Sequence, residues 1–207
     1  MAHRARGRVF VISSPSGGGK TTVVERLLRT IRGLARSVSV TTRPPRRGER
    51  DGRDYLFVSP ATLNRLRRSG QLLEWARVHE AYYGTPKPPV MEALAAGRNV
   101  VLSIDVQGAR QIRRKLGRQA VLIFLLPPSL DHLRERLRQR RTETPAAIRR
   151  RLAAARRELA CARWYDYTVV NDELDQTVAE VGAIVKAKRG VPARQRKGRT
   201  PHGASTD

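Results

Sequence analysis

The sequence predicts an α/β fold: a largely parallel sheet flanked by helices on both faces, interrupted by one inserted α+β lobe. Three observations carry this. Strand-like and helix-like segments alternate along most of the 207 residues, the pattern of successive βαβ units. An apolar run at Val9 to Ile12 leads into a glycine-rich turn and then an amphipathic helix. Between Thr42 and Val90 the alternation gives way to short strands, turn residues and one small helix.

Val9-Phe10-Val11-Ile12 is a continuous apolar run rich in β-branched and aromatic residues, which reads as a buried strand. After the turn, Lys20-Thr21-Thr22 opens a helix with Val23, Val24, Leu27, Leu28 and Ile31 at helical spacing. Strand, glycine loop and helix, joined through Gly19-Lys20-Thr21, form the arrangement that cradles a phosphate chain. Small residues let successive backbone N–H groups turn inward, and the helix N-terminus adds positive dipole. Lys20 can reach the β- and γ-phosphates, and the Thr21 hydroxyl can ligate Mg²⁺. The strict pattern begins with glycine where this chain has Ser14. A glycine-rich helix entry is the bland alternative, but the flanking strand and helix argue for a nucleoside triphosphate site. That site comprises Ser14, Pro15, Ser16, Gly17, Gly18, Gly19, Lys20, Thr21 and Thr22.

Further on, Ser37 to Val40 reads as a short strand running into Thr41-Thr42-Arg43-Pro44-Pro45-Arg46. In the lobe, strands at Tyr55 to Val58 and Leu72 to His79 flank a helix from Ala61 to Ser69. A helix from Val90 to Ala96 stops at Gly97, and Asn99 to Asp105 returns to buried-strand style. Residues 108–116 read as helix and 120–126 as a core strand closed by Pro127-Pro128. Ser129 is an N-cap candidate for a helix reaching about Gln139, with Asp131 in its first turn. A charged break at 140–144 precedes a long helix from Pro145, a residue suited to the first turn, to about Ala162. Tyr167 to Asn171 is the last strand and Leu174 to Lys186 the last helix. Residues 1–7 read as a flexible N-terminus and 190–207 as a basic disordered tail.

A chain of 207 residues fits one domain with small insertions. No apolar run approaches the roughly 20 residues that span a bilayer, so no membrane partner is expected. The first residues lack the apolar stretch of a signal peptide. A single cysteine, Cys161, excludes an internal disulfide framework and points to the cytoplasm. The formal charge of +24 raises nucleic acid as a partner. Arginine outnumbers lysine heavily and is spread over every helix, a bias that a G·C-rich coding sequence produces by itself. No aromatic-interleaved basic motif of the RNA-binding kind is present, so nucleic acid is not expected as a specific partner. The sequence sets no oligomeric state.

Beyond the phosphate loop, Arg43 and Arg46 stand three residues apart in a proline-stiffened loop. Forked guanidinium groups suit phosphate oxygens, and with Tyr55 and Tyr83 they could hold a second phosphate. In so arginine-rich a chain a solvated surface is the ordinary role for any one of them. Their place after a strand expected to end near the phosphate loop singles this pair out. Ser39, Glu74 and Asp105 could meet a base edge, which spacing alone does not show.

Taken jointly, several stretches resemble the bacterial guanylate kinases over residues 8–187. They are Pro15 to Thr21, Thr41 to Glu49 with Asp54-Tyr55, Leu73 to Ala76, Tyr82 to Gly84, Ile104 to Gly108, and Val170 to Asp172. The resemblance implies a P-loop nucleoside monophosphate kinase with a core (8–41 and 91–187), a GMP-binding lobe (about 42–90) and a lid (about 138–150). It implies ATP and GMP as substrates, ADP and GDP as products, and Mg²⁺ as cofactor. Arg43, Arg46, Tyr55 and Tyr83 would bind the GMP phosphate, while Ser39, Glu74, Thr85 and Asp105 would face guanine. Arg136, Arg140 and Arg151 would close over the transferring group beside Lys20, and Asn171 would lie near adenine. Three positions depart from the family pattern. Ser14 replaces a common glycine, Ser103 stands where an acid is usual, and Arg141 follows Arg140 where glycine is usual. Loss of the acid at 103 implies weaker metal binding.

Two rivals remain open at this stage: a related kinase of another phosphorylated acceptor, and a non-catalytic module that binds a phosphorylated peptide. Retention of the guanine-facing set argues against the first. The phosphate-loop lysine and lid arginines argue against the second.

Overall fold

The computed structural model describes residues 7–78, 80–138 and 145–188. The chain begins with β1 (Val9–Ser13), buried along its whole length as a strand central to a parallel sheet must be. After the glycine loop, α1 (Lys20–Thr30) turns Val23, Val24 and Leu27 inward. Three short strands follow: β2 (Leu34–Arg36), β3 (Val40–Thr41) and β4 (Leu56–Phe57). Next, α2 (Pro60–Arg68) starts where the Ser59 hydroxyl accepts the Thr62 N–H at 3.1 Å, with Pro60 in the first turn. A hairpin of β5 (Leu72–Val78) and β6 (Ala81–Pro86) leads into α3 (Lys87–Ala95). Then come β7 (Asn99–Ser103), α4 (Val106–Leu116), β8 (Ala120–Leu126), α5 (Leu130–Arg138), α6 (Pro145–Leu159), β9 (Tyr167–Val170) and α7 (Leu174–Lys188).

The main sheet is parallel throughout, five strands in the order β2-β7-β1-β8-β9. Alternate residues of its central strands feed two cores. Val9, Val11, Leu102, Leu122 and Phe124 pack under α3 and α4 against Val90, Leu94, Ala109 and Ile112. Phe10, Ile12, Val101, Ile123 and Leu125 pack under α1 and α7 against Val23, Leu27, Val178, Val181 and Val185. Truncating a fully buried ring such as Phe10 or Phe124 to alanine is expected to cost about 3–5 kcal/mol.

The second sheet has four strands in the order β4-β3-β6-β5. It closes over α2 through a small cluster of Val40, Leu63 and Leu72. This is the inserted α+β lobe, and it corrects two expectations. Of the strand expected at Ser37 to Val40 only Val40 is in a strand: two short strands stand in its place, Leu34–Arg36 pairing with β7 in the main sheet and Val40–Thr41 belonging to the lobe. Residues 37–39 cross between the sheets, so buried Leu34 and Val40 anchor separate strands. Also, β6 lies in a stretch, between His79 and Val90, to which the sequence assigns no element. Tyr82, Tyr83, Gly84 and Thr85 pair antiparallel with Arg77, Ala76, Trp75 and Glu74, and the hairpin compensates for a locally irregular composition.

Smaller shifts have simple causes. Helix α3 begins at Lys87 rather than Val90 because Pro88 and Pro89 sit in a first turn that needs no N–H from them. Helix α6 ends at Leu159 and a single 3₁₀ turn over Ala162–Trp164 continues the chain. The segments read as flexible N-terminus and basic tail, and the centre of the lid including Arg140 and Arg141, lie outside the described residues, apart from Gly7.

Candidate active site

A cleft of about 250 Å³ opens where the C-terminal ends of the main-sheet strands face the lobe. This is where ligands bind in open parallel sheets. The phosphate loop, Ser14 to Gly19, forms one wall. Gly19 has φ +82, a left-handed angle that side-chain-bearing residues rarely adopt, and an added Cβ there would lie 2.6 Å from Asn171 Nδ2. Ser14, the departure from the glycine pattern, is accommodated by its neighbour. Its hydroxyl donates to the Pro15 carbonyl at 3.0 Å and fills the space left by Gly18, whose added Cβ would lie 2.8 Å from Ser14 Oγ.

Asn171 holds the loop from behind. Its Nδ2 donates to the Gly18 carbonyl at 2.7 Å, and its own carbonyl accepts from Arg136 Nη2 at 3.3 Å. The side chain is buried at this post. Arg136 thus stands beside Gly19, tied to the end of β9.

Lys20 lines the cleft, and burial pulls its pKa down while the carboxylates of Asp105 and Glu158 oppose that shift. Its Nζ donates to the Ile104 carbonyl at 3.4 Å. Thr21, Thr22 and Ser103 line the same space. From α6, Arg151 and Glu158 both reach it, and Glu158 Oε2 accepts the Ser16 N–H at 3.2 Å. Burial pushes the Glu158 carboxyl up, with the Ser16 bond and Lys20 acting in the other direction. Sequence reasoning missed Glu158, although a signal existed. It follows Arg151 by seven residues, two helical turns, and so shares its face.

The lobe contributes the opposite wall with Ser39, Arg46, Tyr55, Glu74 and Tyr83. Arg43 is held by two neighbours of the same lobe. Its guanidinium forks onto Glu49, with both N–H···O contacts at 2.8 Å, and its Nε donates to Tyr83 Oη at 3.2 Å. The fork raises the Arg43 pKa and lowers that of Glu49. Glu49 also accepts the Arg46 N–H at 2.7 Å, so one acid organises both arginines of the loop. Because Tyr83 Oη accepts from Arg43, its own proton is left to donate into the cleft.

At the deep end, Glu74 is 2% exposed and accepts from the hydroxyl of buried Thr85 at 2.6 Å. Burial pushes its pKa up to about 7; nearby Asp105 adds to the rise, and the Thr85 bond and Lys115 act against it. Asp105 caps α4: one oxygen accepts the Gly108 N–H at 2.9 Å, the other accepts from Gln107 Nε2 at 3.0 Å. Of the residues expected at the site, Arg43, Thr85, Arg136 and Asn171 are not among those that line the cleft, and Arg140 lies outside the described residues.

A parallel sheet, a lysine-bearing phosphate loop and a facing lobe with arginine and tyrosine hydroxyls define a P-loop phosphotransferase acting on a phosphorylated acceptor. A family model described as guanylate kinase matches residues 6–188. A guanylate kinase of Rhodospirillum rubrum is 48% identical over 92% of this chain and 87% of its own length. One from the Wolbachia of Brugia malayi is 44% identical over 91% of this chain and 97% of its own. The crystal structure of guanylate kinase from Anaplasma phagocytophilum superposes with a TM-score of 0.76 at 33% identity, covering 89% of this chain and 87% of that one. The chain belongs to the guanylate kinase family.

Proposed function

We infer that the chain transfers the γ-phosphoryl group of ATP to GMP, giving ADP and GDP. The observation that carries this is one cleft lined at once by Lys20 and Arg151, by the Arg46–Tyr55–Tyr83 group, and by buried Glu74. Phosphoryl transfer asks for in-line positioning and compensation of charge on the equatorial oxygens rather than covalent help from the protein. The loop amides and Lys20 hold the β- and γ-phosphates; Arg151, with Arg136 and Arg140 near the lid, compensates charge on the transferring group. Arg46, Tyr55 and Tyr83 hold the GMP phosphate, with Arg43 bracing them through Tyr83. A GMP phosphate oxygen attacks the γ-phosphorus as the bond to the β–γ bridging oxygen breaks, and the electron pair leaves on ADP. Glu74 and Asp105 accept the guanine N1–H and 2-amino donors, Ser39 donates to O6, and Thr85 steadies Glu74. Asn171 supports the adenine side through the loop it holds.

Mg²⁺ is the cofactor, and the residues fit a cation held largely by phosphate oxygens and water. Thr21 supplies a hydroxyl at the loop, and Asp105 and Glu158 bring carboxylates to the same cleft. Among the described residues no group of three or more His, Cys, Asp or Glu forms a cage of its own. When bound, the ion offsets negative charge on the β- and γ-phosphates.

Residues from about 42 to 90 serve as the GMP lobe and about 138–150 as the lid on a core formed by 8–41 and 91–187, and closure of both excludes water from ATP. No helix among the described residues is long and apolar enough to cross a membrane, and the cytoplasm is the setting that fits a lone cysteine. A coupled assay of ADP release with GMP, with AMP and with no acceptor tests the function. Release that depends on GMP supports it; equal release without acceptor contradicts it.

A further inference from the structure

The edge strand of the lobe is fastened to the core by side chains of one helix. In the order β4-β3-β6-β5, strand β5 has a partner on one side only. Its other edge carries backbone groups that an exposed edge would leave to water. Here α4 supplies the partners. Gln107 Nε2 donates to the Arg77 carbonyl at 3.1 Å. Gln111 takes both backbone groups of Trp75: its Oε1 accepts the N–H at 3.2 Å and its Nε2 donates to the carbonyl at 2.6 Å. Lys115 Nζ donates to the Leu73 carbonyl at 2.6 Å.

The spacing explains why the three stay in step. Residues four apart on a helix rise about 6.0 Å, and residues two apart on a strand rise about 6.6–6.8 Å. Positions 107, 111 and 115 of α4 therefore meet 77, 75 and 73 of β5 as successive rungs. Glu74 lies between two rungs, and its carboxyl rests against the first turn of α4, where a Cβ on Gly108 would fall 2.4 Å from Glu74 Oε2. The same helix begins at Asp105, its cap residue. One rigid element thus carries one acid of the deep pocket and holds the strand that carries the other.

We propose that Gln107, Gln111 and Lys115 form a rail that fixes the separation of Glu74 and Asp105, making Gln111 and Lys115 positioning residues for base choice. The proposal rests on the guanine reading of those acids. A purine that presents two adjacent donors, N1–H and a 2-amino group, needs both carboxylates at one fixed spacing. A purine lacking the 2-amino group needs only one. Loosening the rail therefore harms GMP more than IMP, without touching the phosphate loop.

The test compares kcat/KM for GMP and IMP, and KM for ATP, in the wild type, Gln111→Leu, Lys115→Met and Glu74→Gln. Gln111→Leu keeps the bulk of the side chain, and Lys115 is exposed, so its replacement spares the core. The expected result is a fall of about tenfold in the GMP:IMP ratio for Gln111→Leu, the loss expected of a hydrogen-bonded support. Lys115→Met gives a smaller fall in the same direction. The fall comes through KM for GMP, with KM for ATP unchanged. A merely structural role would lower the melting temperature and leave the ratio alone. If Glu74→Gln lowers kcat/KM for GMP while both rail variants retain the ratio, the rail proposal is overturned and the guanine reading stands. If Glu74→Gln uses GMP and IMP as well as the wild type does, the guanine reading fails and the proposal falls with it.

Discussion

The Glu158 carboxylate accepts the backbone N–H of Ser16, joining α6 to the phosphate loop across 142 residues of sequence at 3.2 Å. The helix that brings Arg151 to the cleft is thereby tethered to the loop that carries Lys20, and the same carboxylate faces Lys20. Glu158→Gln retains an acceptor for Ser16 and is expected to keep most activity. Glu158→Ala loses acceptor and charge together and should lower kcat/KM for ATP by roughly ten- to hundredfold, the worth of a charge-assisted bond. Steady-state kinetics in ATP at saturating GMP measures both; equal kinetics for the alanine variant and the wild type would show the tether to be idle.

Lys20 is a buried cation whose burial already disfavours its charge. Lys20→Ala should therefore leave the melting temperature unchanged or raised, while turnover falls by about a hundredfold or more as a preorganised charge is removed from the transition state. Thermal unfolding and kcat on one preparation decide this, and near-native turnover in a folded variant contradicts it.

Glu74 makes the apoprotein pH-sensitive. Its folded-state pKa of about 7 lies above the ordinary 4.5, so between those values the folded protein holds a proton that the unfolded chain has released. Stability from this group is full at pH 4.5 and below and is lost as pH rises through about 7, a difference on the order of 3 kcal/mol. Urea unfolding at pH 5.5 and pH 8 should show the decline in the wild type and its absence in Glu74→Gln. GMP affinity should move the other way, rising through pH 7 as the carboxylate becomes available to accept from guanine.

Ser103 lines the cleft near Thr21 without contributing a charge. Ser103→Asp should lower the Mg²⁺ concentration for half-maximal rate, since hard cations favour carboxylate oxygen directly or through retained water. A magnesium titration at fixed ATP measures it, and an unchanged or raised midpoint would remove this position from the metal's surroundings.

What was legible in the sequence was local. Val9 to Thr22 specify strand, loop and helix through adjacent residues, and the structure reproduces them as β1, the loop and α1. Hairpin strand β6 was not legible because Tyr82-Tyr83-Gly84-Thr85 lacks alternation and gains its pairing from β5. The split at 37–39 was hidden for a related reason: Leu34 and Val40 are each anchored by a different sheet. Within the site, residue types pointed to the right chemistry, while their division of labour needed the fold. Arg43 braces through Glu49 and Tyr83, and Asn171 spends its amide on Gly18. Glu158 meets Ser16 only after the whole sheet has been assembled between them.

The central claim is that a buried carboxyl on β5 selects guanine. Guanine offers N1–H and a 2-amino group to Glu74 and Asp105, whereas adenine has an acceptor at N1 and no 2-amino group. A site built on such bonds rejects the wrong base by about 10⁴–10⁵-fold, because its own buried polar groups are left unpaired. The most direct measurement is kcat/KM for GMP, IMP and AMP in the wild type and in Glu74→Gln at pH 8. The predicted order is GMP above IMP above AMP in the wild type, with Glu74→Gln losing roughly 2–4 kcal/mol toward GMP. Equal use of GMP and AMP by the wild type would contradict the account.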